Sequence, residues 1–127
     1  MNAIRSEKID AVIAGYIRVW NERDADRRLE LVEGLWSEDG TYTDPLAECV
    51  GRASFSETVG AVQGQFPPDF VFTLGPLDAH HNIARFTWEL GPAGAEPLVV
   101  GFDVAVLDDN GRIKAVHGFL DKVPGGA

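Results

Sequence analysis

Asp103 lies inside an apolar run, with Leu98, Val99, Val100, Gly101 and Phe102 before it and Val104, Ala105, Val106 and Leu107 after it, of the kind that builds a buried strand. An unpaired charge there is costly. A carboxyl in that setting takes up a proton, meets a partner, or borders a cavity that holds water or ligand. Two further residues are candidate companions in one cavity. Tyr16 falls on the inward face of the first helical segment, and Asp44 stands before Pro45 at the end of an extended one. Each of the three also has a purely structural role open to it. Tyr16 can be a core tyrosine with a backbone partner, Asp44 a turn cap, and Asp103 a buried hydrogen-bonding acid.

Periodicity predicts the helices and strands that carry these residues. From Ile9 the apolar residues recur at Val12, Ile13, Tyr16, Val19 and Trp20, one face of a helix with Ser6 as its cap. Asn21 to Asp24 breaks the pattern, and Leu29, Val32, Leu35 and Trp36 mark a second helix beside the first. Ser37 to Pro45 reads as an exit loop and brief strand, in which Asp39-Gly40 turns the chain and Thr41, Tyr42 and Thr43 are extended. A third helix spans Gly51 to Phe66. Ser54 enters it, with Glu57 three residues later as a capping box, and Phe55, Val59, Val62 and Phe66 form its apolar face. Gly60 and Gly64 weaken it by about 1 kcal/mol each relative to alanine.

Beyond Pro67 the period becomes two. Four strands are predicted, Phe70 to Leu74, Asn82 to Leu90, Leu98 to Leu107 and Ile113 to Leu120, joined at Gly75-Pro76, Gly91 to Pro97 and Asn110-Gly111. Three N-terminal helices against one face of a curved, mostly antiparallel sheet make this an α+β fold. If Asp103 faces the helices, so do Gly101 and Ala105, while Phe102, Val104 and Val106 face outward. An antiparallel sheet with one wet face alternates polar and apolar residues. Here both faces are apolar, so the outer face needs a cover, and a second copy of the chain in a homodimer is the simplest one.

The 127 residues fit one domain, 1–127. A single cysteine, Cys49, allows no internal disulfide and no thiolate-built zinc site, and a reducing cytoplasm is the expected compartment. No long apolar run suggests a signal peptide or membrane span, so a soluble chain is expected. A net charge of -9 makes nucleic acid and anionic membrane improbable partners. His80 and His81 are adjacent and diverge on a strand, which makes them poor joint metal ligands, and no metal is expected. Gly60 and Gly64 lie inside a helix with no lysine following, so no nucleotide loop is expected either. Cys49 sits in a predicted loop with acidic neighbours, which raise a thiol's pKa rather than activate it.

Tyr16 in the first helix, the stretch Leu35-Trp36-Ser37-Glu38-Asp39-Gly40-Thr41-Tyr42-Thr43-Asp44-Pro45, and Gly101-Phe102-Asp103 on the penultimate strand stand in an order that resembles a known superfamily. The chain is similar, from Ile9 to Val123, to the nuclear transport factor 2-like proteins that include ketosteroid isomerase and the SnoaL-like polyketide cyclases. The resemblance implies a cone-shaped α+β barrel and a cofactor-independent proton transfer next to a carbonyl, as isomerase, cyclase or dehydratase, on a small apolar molecule. It places Asp44 in the role of base, with Tyr16 and a protonated Asp103 as donors to the oxyanion. Such an acid donates only where its surroundings raise its pKa above the working pH.

By parity and helical face, Trp20, Phe55, Val59, Phe86, Trp88, Val116 and Leu120 are the candidate pocket residues. The bulk of Trp20 and Trp88 points to a ligand smaller or flatter than a steroid. A cyclase-type histidine or an epoxide-hydrolase-type arginine would have to come from His117 or Arg85. Parity turns both outward unless a bulge reverses the register. The alternative is a non-catalytic ligand-binding or association module of the same fold. Convergence of the Tyr16 and Asp103 oxygens, with Asp44 across the cavity, favours the enzyme; a space filled by Trp20 and Trp88 favours the module.

Overall fold

The computed structural model describes residues 7–124. Helix α1 (Glu7–Asn21) buries Ile9, Ile13, Tyr16, Ile17 and Trp20 along one stripe, as its period requires. Ser6, the expected cap, lies outside the described residues. Asp24 starts α2 (Ala25–Leu35) by accepting the Arg27 backbone N–H at 3.0 Å. Trp36 does not continue that helix. It opens β1 (Trp36–Asp44), and its buried ring stacks on Phe55 at 4.0 Å. Asp39-Gly40 makes no turn but lies within β1, at the register shift between Trp36 and Thr41. A Cβ on Gly40 would sit 2.5 Å from the Trp36 indole nitrogen, so this glycine serves the approach of a ring.

β1 turns at once into a short strand that the sequence pattern did not suggest, β2 (Ala47–Val50), which puts Cys49 opposite Tyr42 rather than in a loop. Helix α3 (Arg52–Gln63) follows, entered through Gly51 at φ 97°. The Ser54–Glu57 capping box does not form, because Ser54 already lies inside the helix and its carbonyl accepts the Thr58 hydroxyl at 2.9 Å. α3 also ends before Phe66.

The remaining strands are β3 (Phe70–His80), β4 (Ile83–Pro92), β5 (Val99–Leu107) and β6 (Ile113–Lys122). Gly75-Pro76 is no connection. It is an irregularity inside β3, where the register to β4 shifts between Leu74 and Leu77. The six strands form one curved, unclosed sheet in the order β2-β1-β6-β5-β4-β3, so the cone does not close into a barrel. The sheet is mixed: β1 runs parallel to β6, and every other neighbouring pair is antiparallel. That parallel pair is possible because α3 and four strands separate β1 from β6, ample chain for the return.

Side-chain parity on β5 is as expected. Gly101, Asp103 and Ala105 are buried beneath the helices, and Phe102, Val104 and Val106 are half-buried on the outer face. His117 and Phe119 of β6 lie beside Val104 and Phe102 there, with Phe119 56% exposed. No described helix is long and apolar enough to cross a membrane.

Candidate active site

A cavity of about 660 Å³ opens between α1, the C-terminal half of α3 and the inner face of the sheet. Tyr16, Asp44 and Asp103 all line it. Helical period brings Tyr16 down from α1, and strand parity brings Asp103 up from β5. Asp103 is 2% exposed and accepts two hydrogen bonds, from the Tyr16 hydroxyl on Oδ2 and from the Trp88 indole N–H on Oδ1, both at 3.1 Å. Burial pushes its pKa from 3.8 up to about 6. The Trp88 and Tyr16 hydrogen bonds pull against that rise, because they favour the charged form, while the nearby Asp44 carboxyl adds to it. The acid is therefore raised as expected, but not far enough to hold it neutral at pH 7. Burial first, then the charge of Asp103, lifts the Tyr16 phenol well above its ordinary range and keeps it a neutral donor.

Asp44 ends β1, where it takes the turn-cap role and also lines the cavity. Its Oδ1 accepts the backbone N–H groups of Leu46 at 2.7 Å and Ala47 at 2.8 Å, which forms the β1–β2 turn. Its Oδ2 accepts the Tyr42 hydroxyl at 2.5 Å. Burial and that hydrogen bond raise the Tyr42 phenol far above its usual value. Tyr42 and Asp44 are two apart on one strand and so share a face, the signal by which Tyr42 could have been found.

Gly118 separates the two acids. β6 lies between β1 and β5, with Gly118 opposite Asp103 and one step beyond the His117–Thr43 pair. A Cβ at Gly118 would stand 2.9 Å from Asp103 Oδ1 and 3.3 Å from Asp44 Cβ. The missing side chain lets both carboxyls face the same space. Gly101 does the same for Trp88, whose ring occupies the place of a Cβ there and brings the indole N–H to Asp103.

Of the other candidate pocket residues, Trp20, Trp88 and Leu120 line the cavity. Phe55, Val59, Phe86 and Val116 do not: they are fully buried in the core behind it, with Phe55 on Trp36 and Phe86 edge-on to Tyr16 at 5.7 Å. The wall is completed by residues the pattern did not assign to a pocket, among them Phe72, Leu90 and Val99 from the sheet and Val62, Gln65 and Phe66 from the end of α3. Trp20 and Trp88 stand in that wall rather than in the space, which is wider than their bulk suggests.

Arg85 and His117 stay outside. Arg85 meets Asp78 at 3.6 Å on the outer surface, and His117 is exposed, since the β5–β6 register shifts fall at either end of the paired stretch and leave His117 opposite Val104. His80 and His81 are exposed at the β3–β4 turn, with their Nδ1 atoms 3.0 Å apart.

No curated protein matches the chain. Among solved structures, a protein from Agrobacterium tumefaciens, named as a candidate isomerase of the SnoaL-like family, is 35% identical, with 91% of this chain and 99% of that one covered at a TM-score of 0.84. A candidate ketosteroid isomerase from Kribbella flavida is 22% identical over 96% of this chain and 84% of its own, with a TM-score of 0.70, and shares the fold. The same holds for a nuclear transport factor 2-like protein of unknown function from Mesorhizobium loti, at 20% identity, 92% and 93% coverage and a TM-score of 0.69. Residues 13–116 match the SnoaL-like domain. With Tyr16, Asp44 and Asp103 all inside that span, the chain belongs to the SnoaL-like family.

Proposed function

We propose that the protein is a cofactor-independent enzyme that moves a proton next to a carbonyl in a small apolar molecule. The observation that carries this reading is the meeting of Asp44, Asp103 and Tyr16 in one aromatic-lined cavity. Asp44 takes the proton from the carbon acid. Its turn hydrogen bonds and the Tyr42 hydroxyl hold the carboxylate in one orientation, so little reorganisation precedes the transfer. The oxyanion that forms lies toward Tyr16 and protonated Asp103, and their O–H groups donate to it. Trp88 holds Asp103 Oδ1, and when an oxyanion draws the Tyr16 hydroxyl away from Oδ2, that oxygen is the one to carry the proton. Returning the proton to a second carbon completes an isomerisation; attack of the enolate carbon on a second carbonyl, with the proton returned to the new alkoxide, gives cyclisation, and expulsion of a β-hydroxyl that takes the proton from Asp44 and leaves as water gives dehydration.

Solvent-deuterium incorporation into a panel of β,γ-unsaturated ketones, followed by NMR, tests the reading. Asp44→Asn is expected to slow exchange by about a hundredfold or more while ligand still binds. Tyr16→Phe and Asp103→Ala each lose about two to three powers of ten, and less than the sum together, because both serve one oxyanion. Since the protonated form of Asp103 is the donor, the rate falls as pH rises through about 6. Exchange that is unchanged in Asp44→Asn removes that residue from the mechanism.

A second reading, a ligand-binding module of the same fold, draws support from one observation. The Tyr16, Tyr42 and Trp88 donors are already turned onto the two acids. The absence of exchange across the whole panel would favour it. On either reading we propose a cytoplasmic homodimer, covered through the outer sheet face and without nucleic-acid or membrane partners.

A further inference from the structure

We propose that this cavity is a receptor for apolar ammonium ligands, and that it rejects carboxylates and phosphates built on the same apolar body. The proposal goes beyond proton transfer and needs no turnover. It rests on the balance of groups around the cavity. Two carboxyls, Asp44 and Asp103, share one wall, and no lysine, arginine or histidine stands among the described residues that line the space. An anion entering there meets two acids and no cation to offset them.

Hydrogen-bond capacity points the same way. The three donors nearest the acids, the Tyr16 and Tyr42 hydroxyls and the Trp88 indole N–H, are already engaged by them. A carboxylate offers about four acceptor positions. Asp103 receives two hydrogen bonds and Asp44 receives three, so acceptor positions remain open on both acids while the neighbouring donors are in use. An ammonium head brings three N–H donors and no acceptor, the complement of that wall. The rest of the lining is suited to a cation with an apolar body, since the faces of Trp20, Tyr42, Phe72 and Trp88 attract positive charge as well as hydrocarbon.

Isothermal titration of the full chain with three probes that share one body, 1-adamantylmethylammonium, 1-adamantylmethanol and 1-adamantanecarboxylate, tests the proposal. The ammonium is expected to bind about tenfold or more tightly than the alcohol, and the carboxylate about tenfold or more weakly than the alcohol. Asp103→Asn and Asp44→Asn should each narrow the ammonium-over-alcohol gap while the alcohol's Kd stays within about threefold. Circular dichroism confirms that each variant is folded, and either one alone suffices for the comparison. The gap should persist at about 0.5 M salt, where the general attraction of a protein of net charge -9 is screened. Equal binding of ammonium and alcohol, carboxylate binding as tight as the alcohol, loss of the gap at high salt, or no binding of any probe would each overturn the proposal. Ammonium selectivity without deuterium exchange would overturn the proton-transfer reading alone.

Discussion

A buried acid with a pKa near 6 leaves a mark on stability as well as on chemistry. In the unfolded chain Asp103 titrates near 3.8, so between there and about 6 the folded state holds the proton that the unfolded state has released. Stability therefore falls as pH rises through that window, by about 3 kcal/mol in all, and stays reduced above it. Asparagine can accept from Trp88 with its oxygen and donate to Tyr16 with its amide, and it carries no charge to desolvate. Urea denaturation at several pH values should show Asp103→Asn losing this pH dependence and equalling or exceeding the parent in stability at pH 7. An identical pH dependence in both proteins would mean that Asp103 is ionised as easily folded as unfolded.

At the scale of elements, the helical layer is held by one buried cation. Arg28 of α2 donates to Ser56 Oγ at 3.2 Å and Gln63 Oε1 at 2.9 Å on α3, and to the Glu22 carbonyl just beyond α1 at 3.1 Å. Gln63 in turn donates to the Trp20 and Glu22 carbonyls at 3.0 and 2.9 Å. Gly60 leaves room for the guanidinium, since a Cβ there would come within 2.8 Å of it. This fork links all three helices below the cavity, on whose wall Trp20 stands. Arg28→Ala should cost about 2 to 4 kcal/mol in denaturant unfolding, because Gln63 Oε1 loses its donor and the buried stem leaves a void. Arg28→Lys should recover less than half, since an ammonium cannot reach all three acceptors as a planar fork does. A loss under about 0.5 kcal/mol would show that helix packing alone holds the layer.

At the level of the whole molecule, the proposed homodimer would form through the outer sheet face. Phe102, Val104, Val106 and Phe119 form an apolar patch there, bordered by Arg85 and His117. A two-fold pairing of such patches would cover both copies at once. Light scattering at micromolar concentration should report a dimer, and Val104→Glu with Phe119→Glu should yield a folded monomer by placing charge at the centre of the contact. A monomeric parent protein would leave that patch without a partner of its own kind.

Local periodicity carried much of this arrangement. A helix repeats every 3.6 residues and a strand every two wherever the segment lies, so Tyr16 and Asp103 could be turned inward, and Arg85 and His117 outward, from the sequence alone. Depth and neighbours were different. The same inward parity holds Phe86 in the core and Trp88 in the cavity wall, and only the curvature of the sheet beneath the helices separates the two. Trp36 continues a helical apolar stripe in the sequence, yet the chain turns into β1 at that residue because its ring has Phe55 and the open face of Gly40 to pack on. Nor does any local signal announce that β1 runs parallel to β6. That long-range pairing carries Asp44 to Gly118 and so to Asp103. Which residues face inward follows from the chain alone, because backbone geometry is local; which of them meet follows from the fold, because strand order and packing depth depend on contacts across the whole chain.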